Sequence, residues 1–121
     1  MDSTDTKKKT ILVAEDSDQI RDVIVLILSN MGYEVTGAHD GQDGIETFRR
    51  IHPDLVISDT QMGNVDGDVF ALMVKAERPE TKFILMSGSG EKPSHVADKF
   101  MAKPVTPQTL TEMVKGLIGE P

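Results

Sequence analysis

The sequence has no cysteine and no tryptophan, and it has only one tyrosine among its 121 residues. Without cysteine it can form no disulfide, no thiol nucleophile and no cysteine-based zinc site. The shortage of large aromatic side chains argues against base-stacking platforms and aromatic cofactor boxes. No apolar run approaches the length of a membrane span, and the first residues lack the apolar stretch of a signal peptide. These absences predict a soluble protein of a reducing compartment, most simply the cytoplasm.

Positive charge is also scarce, because 13 Lys and Arg residues stand against 20 Asp and Glu residues and leave a net charge of −7. This balance argues against a nucleic-acid surface and fits either ordinary solubility or a carboxylate-rich site that needs a cation. The length suits one domain. We expect a flexible tail over residues 1–9 and one domain over residues 10–119. The histidines His39, His52 and His95 lack ligand spacing and are expected at the surface.

Five short apolar runs alternate with amphipathic stretches along the chain. The runs predict buried strands at Thr10–Ala14, Tyr33–Ala38, Leu55–Ile57, Lys82–Met86 and Lys99–Ala102. The stretches predict helices that begin at a Ser17 or Asp18 cap, at Asp43, near Gly67 and after a Thr106 cap. Such alternation is typical of α/β proteins with helices on both faces of a parallel sheet. Right-handed crossovers favour a five-stranded sheet of order 2-1-3-4-5, as in flavodoxin-like folds.

Helical periodicity also predicts which side chains face the core. The first helix has its apolar stripe at Ile20, Val23, Ile24, Ile27, Leu28 and Met31. In the third helix we expect core contacts from Val69, Phe70, Leu72 and Met73. The second and last helices are expected to face inward through Ile45, Phe48, Leu110, Met113, Val114, Leu117 and Ile118.

Residues with reactive side chains fall where the predicted strands end. Glu15 and Asp16 close the first strand, Asp59 the third, Ser87 the fourth and Lys103 the fifth. The carboxyl ends of parallel strands lie at one edge of the sheet, and neighbouring strands are about 4.8 Å apart. Each residue alone has an ordinary explanation as a turn, a helix cap or a solvated strand end. Their common placement predicts a single crevice with three carboxylates, a hydroxyl and an ammonium group.

Such a crevice points to phosphoryl transfer. Two carboxylates about 4 Å apart repel each other by roughly 1–4 kcal/mol, so a cluster of them favours a bound cation. Hard oxygen ligands with room for water suit Mg²⁺. A cation, a lysine and a hydroxyl can offset charge on phosphoryl oxygens while the carboxylate of Asp59 attacks in line.

These residues match a known pattern. The segments Ile11–Asp16, Asp54–Asp59 and Met62–Gly67, followed by Ser87-Gly88 and Lys103-Pro104, resemble the CheY-like receiver domain of response regulators in two-component signalling. The resemblance covers roughly residues 9–119. It implies a cytoplasmic, monomeric or weakly dimeric signalling module that catalyses only its own phosphorylation and dephosphorylation. Its implied partners are a histidine kinase or histidine phosphotransfer protein and a downstream protein target, with no nucleic acid or membrane bound by this domain.

The resemblance also implies a role for each matching residue. Asp59 would be the phosphoacceptor, with Ser87 and Lys103 holding the phosphoryl oxygens. Mg²⁺ would be bound by Asp16 and Asp59 directly, by Glu15 through water and by the backbone carbonyl of Gln61. Ser87 and Phe100 correspond to the switch pair of the family. Gln61 and Ser89 occupy positions that tune dephosphorylation.

Three features depart from the family pattern. Met62-Gly63 stands in place of the usual Met-Pro, which loosens that loop, and Glu15 replaces the commoner aspartate. Lys103 follows Ser87 by sixteen positions, fewer than is usual. We therefore expect the fourth helix of the family to be short or missing and the segment 88–97 to be mobile.

Three other protein classes share part of this pattern. A haloacid-dehalogenase-type phosphohydrolase would need a second aspartate two positions after Asp59, where this chain has Gln61. A flavodoxin-like FMN protein would need a Ser/Thr/Gly-rich phosphate loop, which residues 15–20 lack. A receiver-shaped binding module that is never phosphorylated is the strongest rival, although all five site residues are intact.

Overall fold

Five strands form one parallel sheet in the computed structural model, which describes residues 8–88 and 96–121. They are β1 (Thr10–Ala14), β2 (Glu34–Ala38), β3 (Leu55–Asp59), β4 (Lys82–Ser87) and β5 (Lys99–Ala102). The helices of the described residues are α1 (Asp18–Met31), α2 (Gly41–Ile51), α3 (Gly67–Glu77) and α4 (Pro107–Ile118). The strand order is β2-β1-β3-β4-β5, and every neighbouring pair is parallel. The predicted α/β fold and strand order are confirmed.

The sheet separates two hydrophobic clusters, because successive side chains of a strand point to opposite faces. On one face, Ile11 and Val13 of β1 pack with Ile24 and Leu28 of α1 and with residues of α4. On the other face, Leu12 packs with residues of α2 and α3. All strand residues of β3 are buried, as expected for a central strand covered on both faces.

Side-chain caps define where three of the helices begin. Ser17 accepts a hydrogen bond from the Ile20 N–H and caps α1. Asp40 accepts from the Asp43 N–H and caps α2, so this helix begins two residues before the predicted Asp43. Thr106 caps α4, as predicted, with proline at the first helical position.

The predicted core stripes of α1 and α3 are too wide. Ile20 and Val23 are 37% and 55% exposed, and Val69 and Leu72 are 48% and 55% exposed. The sheet covers only a narrow arc of each helix, and in α1 this arc is centred on Ile24 and Leu28, which are buried. In α3 the buried residues are Gly67, Phe70, Ala71 and Val74. The prediction for the second helix is confirmed, because Ile45 and Phe48 are buried.

Eleven residues separate β4 from β5, and residues 89–95 among them lie outside the described part of the chain. The predictions of a short or missing fourth helix and of a mobile segment over 88–97 fall mainly on these residues. The strand after the gap is anchored by Asp98. Its backbone N–H donates to the Phe83 carbonyl at 2.9 Å, and its carboxylate accepts from the Phe83 N–H at 2.8 Å. The same carboxylate pairs with Lys75 at 2.7 Å.

Residues 1–7 of the predicted tail are likewise outside the described part. Lys9 contacts the domain, because its Nζ donates to the Ile118 carbonyl at 2.9 Å and its own carbonyl accepts from the Glu34 N–H at 3.0 Å. Across residues 8–88 and 96–121, no helix is long and apolar enough to cross a membrane.

Candidate functional site

Three carboxylates meet at the edge of the sheet where β1 and β3 end. Glu15, Asp16 and Asp59 each offer an oxygen atom, and these oxygens lie within 4.8 Å of one another. These carboxylates are close because Ala14 pairs with Ser58, so that Glu15 and Asp16, which follow β1, lie beside Asp59. Glu15 and Asp59 are buried, whereas Asp16 is exposed. The cluster therefore has a closed base and a side open to solvent.

Lys103 follows β5, two strands away from β3, and reaches the cluster along the same edge of the sheet. Its Nζ lies 2.8 Å from Asp59 Oδ2 and 3.3 Å from Glu15 Oε1. Its backbone N–H donates to the carbonyl of Ser87 at 2.8 Å, which places the lysine just beyond the paired ends of β4 and β5. The peptide bond between Lys103 and Pro104 is cis. One ammonium group thus bridges two of the three carboxylates.

The electrostatics of the site follow from burial and charge pairing. Burial raises the pKa of the Glu15 carboxyl, and the nearby negative charge of Asp59 acts in the same direction. A hydrogen bond from the Ser17 N–H to Glu15 Oε2 at 3.0 Å opposes this rise. Burial works against the charged form of Lys103, but its bonds to Asp59 and Glu15 outweigh burial and raise the pKa of the ammonium group.

The other predicted site residues are placed around this cluster. Ser87 is buried at the end of β4, one residue past Met86, the partner of Asp59 across the strands. Gln61 is exposed in the loop after β3, and its N–H donates to Asp59 Oδ1 at 3.4 Å. Phe100 of β5 is half-buried and packs against the core beneath α2 and α3. Ser89 lies outside the described residues.

Gly67 has a role at the site that the sequence did not indicate. A β-carbon at this position would lie 2.2 Å from the carbonyl oxygen of Asp59 and 2.8 Å from a methyl carbon of Leu85. The first residue of α3 therefore touches the backbone of the phosphoacceptor candidate. In the sequence, Asp66-Gly67 indicates only a turn before a helix, and the close approach depends on the tertiary fold.

Arg21 was also missed. Its Nη1 donates to the carbonyl of Glu15 at 2.8 Å, so a residue one turn into α1 fixes the backbone between the two adjacent acids. Its methylene carbons also lie against Gly37, where a β-carbon would be 3.1 Å from Arg21 Cδ. A basic residue one turn into the helix that follows the acidic pair was the available signal.

The donor set fits a hard divalent cation. Every candidate ligand atom of the cluster is a carboxylate oxygen, which Mg²⁺ prefers, and the exposed position of Asp16 leaves room for water ligands. Three carboxylates against one lysine leave an excess of negative charge that a divalent ion would offset.

Known proteins resemble the chain over most of its length. The "Probable transcriptional regulator ycf27" of Cyanophora paradoxa is 31% identical over 117 residues, covering 92% of this chain and 48% of that protein. The chain spans about half the length of the first curated relatives that it matches. It also resembles 13% of the "Autoinducer 1 sensor kinase/phosphatase LuxN" of Vibrio harveyi, at 26% identity over 91% of this chain.

Solved structures agree with this similarity. Response regulator protein TrrA from Thermotoga maritima, solved in complex with Mg²⁺-BeF, superimposes with a TM-score of 0.85 at 30% identity, covering 91% of this chain and 99% of that chain. The chemotaxis protein CheY4 of Vibrio cholerae gives a TM-score of 0.84 at 25% identity, covering 93% of this chain and 100% of that chain. The family model described as "Response regulator receiver domain" matches residues 11–115. The chain therefore belongs to the response regulator receiver domains of two-component signalling.

Proposed function

We propose that this receiver domain accepts a phosphoryl group on Asp59 from a phosphohistidine and then signals through contacts with another protein. The observation that carries the proposal is the 2.8 Å contact between Lys103 Nζ and Asp59 Oδ2 beside two further carboxylates. A structural aspartate at a strand end needs neither a lysine partner nor an adjoining acidic pair. An aspartate that must attack phosphorus needs both kinds of group nearby.

In the proposed step, a carboxylate oxygen of Asp59 attacks the phosphorus atom in line with the phosphohistidine N–P bond. A P–O bond forms, the N–P bond breaks, and the leaving imidazole nitrogen takes the electron pair. Lys103 pairs with Asp59 before the reaction, and its ammonium group would then pair with a phosphoryl oxygen as negative charge moves there. The Ser87 hydroxyl would hold a second phosphoryl oxygen. Loss of the group to water restores the carboxylate, so the domain would act only on its own phosphorylation.

Mg²⁺ is part of the proposal. Asp16, Asp59 and the carbonyl of Gln61 would bind it directly, and Glu15 through a water molecule. When bound, the ion supplies positive charge that lowers the repulsion between the phosphoryl group and the carboxylates. The TrrA relative was solved in complex with Mg²⁺-BeF. The oxygen cluster of Glu15, Asp16 and Asp59 supports the same kind of site here.

The phosphodonor would be a histidine kinase or a histidine phosphotransfer protein. A cavity of about 600 Å³ opens beside Lys103 and is lined by Ile20, Val23 and Pro104 among others. The exposed apolar residues Ile20 and Val23 would let a donor protein dock next to Asp59. The net charge of −7 favours a protein over a nucleic acid as the direct target. The cytoplasmic location and the monomeric or weakly dimeric state stay predictions.

Intact mass spectrometry after incubation with acetyl phosphate and Mg²⁺ tests the proposal. The wild-type protein should gain one phosphoryl group, and the Asp59→Asn variant should gain none. Chelation of Mg²⁺ with EDTA should prevent the gain, and Lys103→Ala should slow it. A wild-type protein that binds Mg²⁺ but gains no mass from acetyl phosphate or from a histidine-phosphorylated donor would instead be a binding-only module.

A further inference from the structure

The loop between β3 and α3, residues 60–66, carries Gln61 and so decides where the Gln61 carbonyl lies. Backbone hydrogen bonds close its base, because the Thr60 N–H donates to Met86 and the Gly67 N–H donates to Thr60, both at 2.9 Å. The middle of the loop contains Gly63, where a β-carbon would have no atom within 4 Å. Glycine has the freest backbone of any residue. Met62 on one side of Gly63 is buried in the core beneath α2 and α3, so the loop tip at Gly63 and Asn64 is the part that needs a further contact to fix its position.

Asn64 makes such a contact with the cap of α2. Its side-chain amide donates to Asp40 Oδ2 at 2.7 Å. The other oxygen of Asp40, Oδ1, accepts from the Asp43 N–H at 2.8 Å and caps the helix. Asn64 has φ 72°, a left-handed conformation that asparagine and aspartate adopt more readily than most residues. One carboxylate therefore joins the loop tip to the beginning of α2.

A second contact holds the same junction. A β-carbon on Gly41 would lie 2.2 Å from the carbonyl oxygen of Val65, so the helix start and the loop are in direct backbone contact. Val65 is also half-buried against the core beneath α2 and α3. The two contacts involve consecutive residues on each side, 40–41 at the start of α2 and 64–65 in the loop. Together they hold the loop tip against α2.

We infer that Asp40 and Asn64 are positioning residues for the phosphoryl-accepting site, and that their hydrogen bond clamps the loop so that Gln61 stays beside Asp59. The inference rests on the proposed function. The two residues act through Gln61, whose N–H donates to Asp59 Oδ1 at 3.4 Å and whose carbonyl would bind the metal ion. They would raise metal affinity without contacting the ion or the phosphoryl group.

One single variant breaks the clamp, and a second substitution at the partner position rebuilds it. Asn64→Asp removes the donor while tolerating the left-handed backbone. Asp40→Asn alone should keep the clamp, because its oxygen can still cap the Asp43 N–H and its amide can donate to the side-chain oxygen of Asn64. In the double variant, the amide at position 40 can donate to the carboxylate at position 64 while its oxygen still caps α2. Asn30→Asp, at an exposed position of α1, is the control for the added charge.

The first readout is amide hydrogen exchange across residues 60–67 in the metal-free protein. The second is the Mg²⁺ dissociation constant from calorimetry. The clamp predicts faster exchange and roughly 2- to 10-fold weaker Mg²⁺ binding in Asn64→Asp, the range that one net hydrogen bond contributes, and values near those of the wild type in Asp40→Asn. The double variant should return both values toward those of the wild type, and Asn30→Asp should leave both unchanged.

A purely electrostatic role predicts a different result. Asn64→Asp adds a negative charge and Asp40→Asn removes one, so charge alone would shift Mg²⁺ affinity in opposite directions. Opposite shifts with unchanged exchange, or no recovery in the double variant, would overturn the inference. If the wild type binds Mg²⁺ but gains no phosphoryl group, the proposed function fails, while the exchange and affinity measurements still decide whether the clamp exists.

Discussion

Gly67 and Asp59 are in backbone contact, so that a β-carbon on Gly67 would lie 2.2 Å from the Asp59 carbonyl oxygen. The contact is reinforced by the Gly67 N–H, which donates to the carbonyl of Thr60 at 2.9 Å. The first turn of α3 is thus seated directly on the end of β3. Any side chain at position 67 must push α3 and the end of β3 apart.

Gly67→Ala should therefore lower stability and impair the site. Overpacking of a close-packed position costs about 1–3 kcal/mol, and here the clash is with rigid backbone. Urea denaturation should show this loss, and phosphorylation by acetyl phosphate should become slower. Gly63→Ala, in the loop just before α3, is the matched control, because a β-carbon there meets nothing within 4 Å. Equal stability of the two variants would contradict the close packing of Gly67 on Asp59.

Asp16→Asn should stabilise the metal-free protein while abolishing Mg²⁺ binding. The oxygens of Asp16, Glu15 and Asp59 lie within 4.8 Å of one another, so removing one negative charge relieves repulsion. Because Asp16 is exposed, the gain should be near the lower end of the range for close charges, about 1 kcal/mol. Urea denaturation in EDTA measures the gain, and calorimetry measures Mg²⁺ binding. Asp22→Asn, at an exposed position of α1, should change neither.

Unchanged or lower stability of Asp16→Asn would mean that the three carboxylates are not crowded. In that case the acidic pair would act as a loop and helix entry rather than as a metal site.

Val23→Ala and Ile24→Ala should differ sharply although they are neighbours in α1. Val23 is 55% exposed, and surface changes of this kind usually stay within about 0.5 kcal/mol. Ile24 is buried between α1 and the sheet, and its truncation should cost about 2–5 kcal/mol. Thermal or urea denaturation separates the two. Both variants should still be phosphorylated by acetyl phosphate where they are folded. Similar losses of stability would mean that Val23 also packs in the core, as periodicity predicts.

The strand order and the convergence of Glu15, Asp16, Asp59 and Lys103 could be predicted because both follow from local patterns. Short apolar runs mark the buried strands, and a parallel sheet gathers the strand ends at one edge. The width of the covered helix face could not be predicted in this way. Periodicity shows which residues share a helix face, but the width of the face that the sheet covers depends on the tertiary structure. For this reason periodicity assigned Val23 to the core although it is exposed.

Contacts between distant loops could not be predicted either. The approach of Gly67 to Asp59 and the bond between Asn64 and Asp40 depend on where α3 and α2 begin in three dimensions. In the sequence, Asp40, Asn64 and Gly67 indicate only a turn or a helix cap. Such residues are recognised once the backbone positions are known.

Tyr33 provides a test of the fold through pH. It is buried, its hydroxyl donates to the Gly119 carbonyl at 2.6 Å, and burial followed by the nearby charge of Glu120 raises its pKa. The folded protein therefore keeps the phenol protonated at a pH where the unfolded chain ionises it. The resulting stability is fully present below the unfolded pKa of about 10 and is lost as the pH rises toward the folded pKa.

Tyr33→Phe should consequently be less stable than the wild type near neutral pH, by about 0.5–1.5 kcal/mol for the lost hydrogen bond. Its disadvantage should shrink above about pH 10, because only the wild type can ionise this side chain when it unfolds. Tyr33 is the single tyrosine and the chain has no tryptophan, so ultraviolet absorbance reports its ionisation directly. The folded protein should titrate at higher pH than the protein in concentrated urea, and Glu120→Gln should narrow the gap. Coincident titration curves would show that Tyr33 is not held between the sheet and the end of α4.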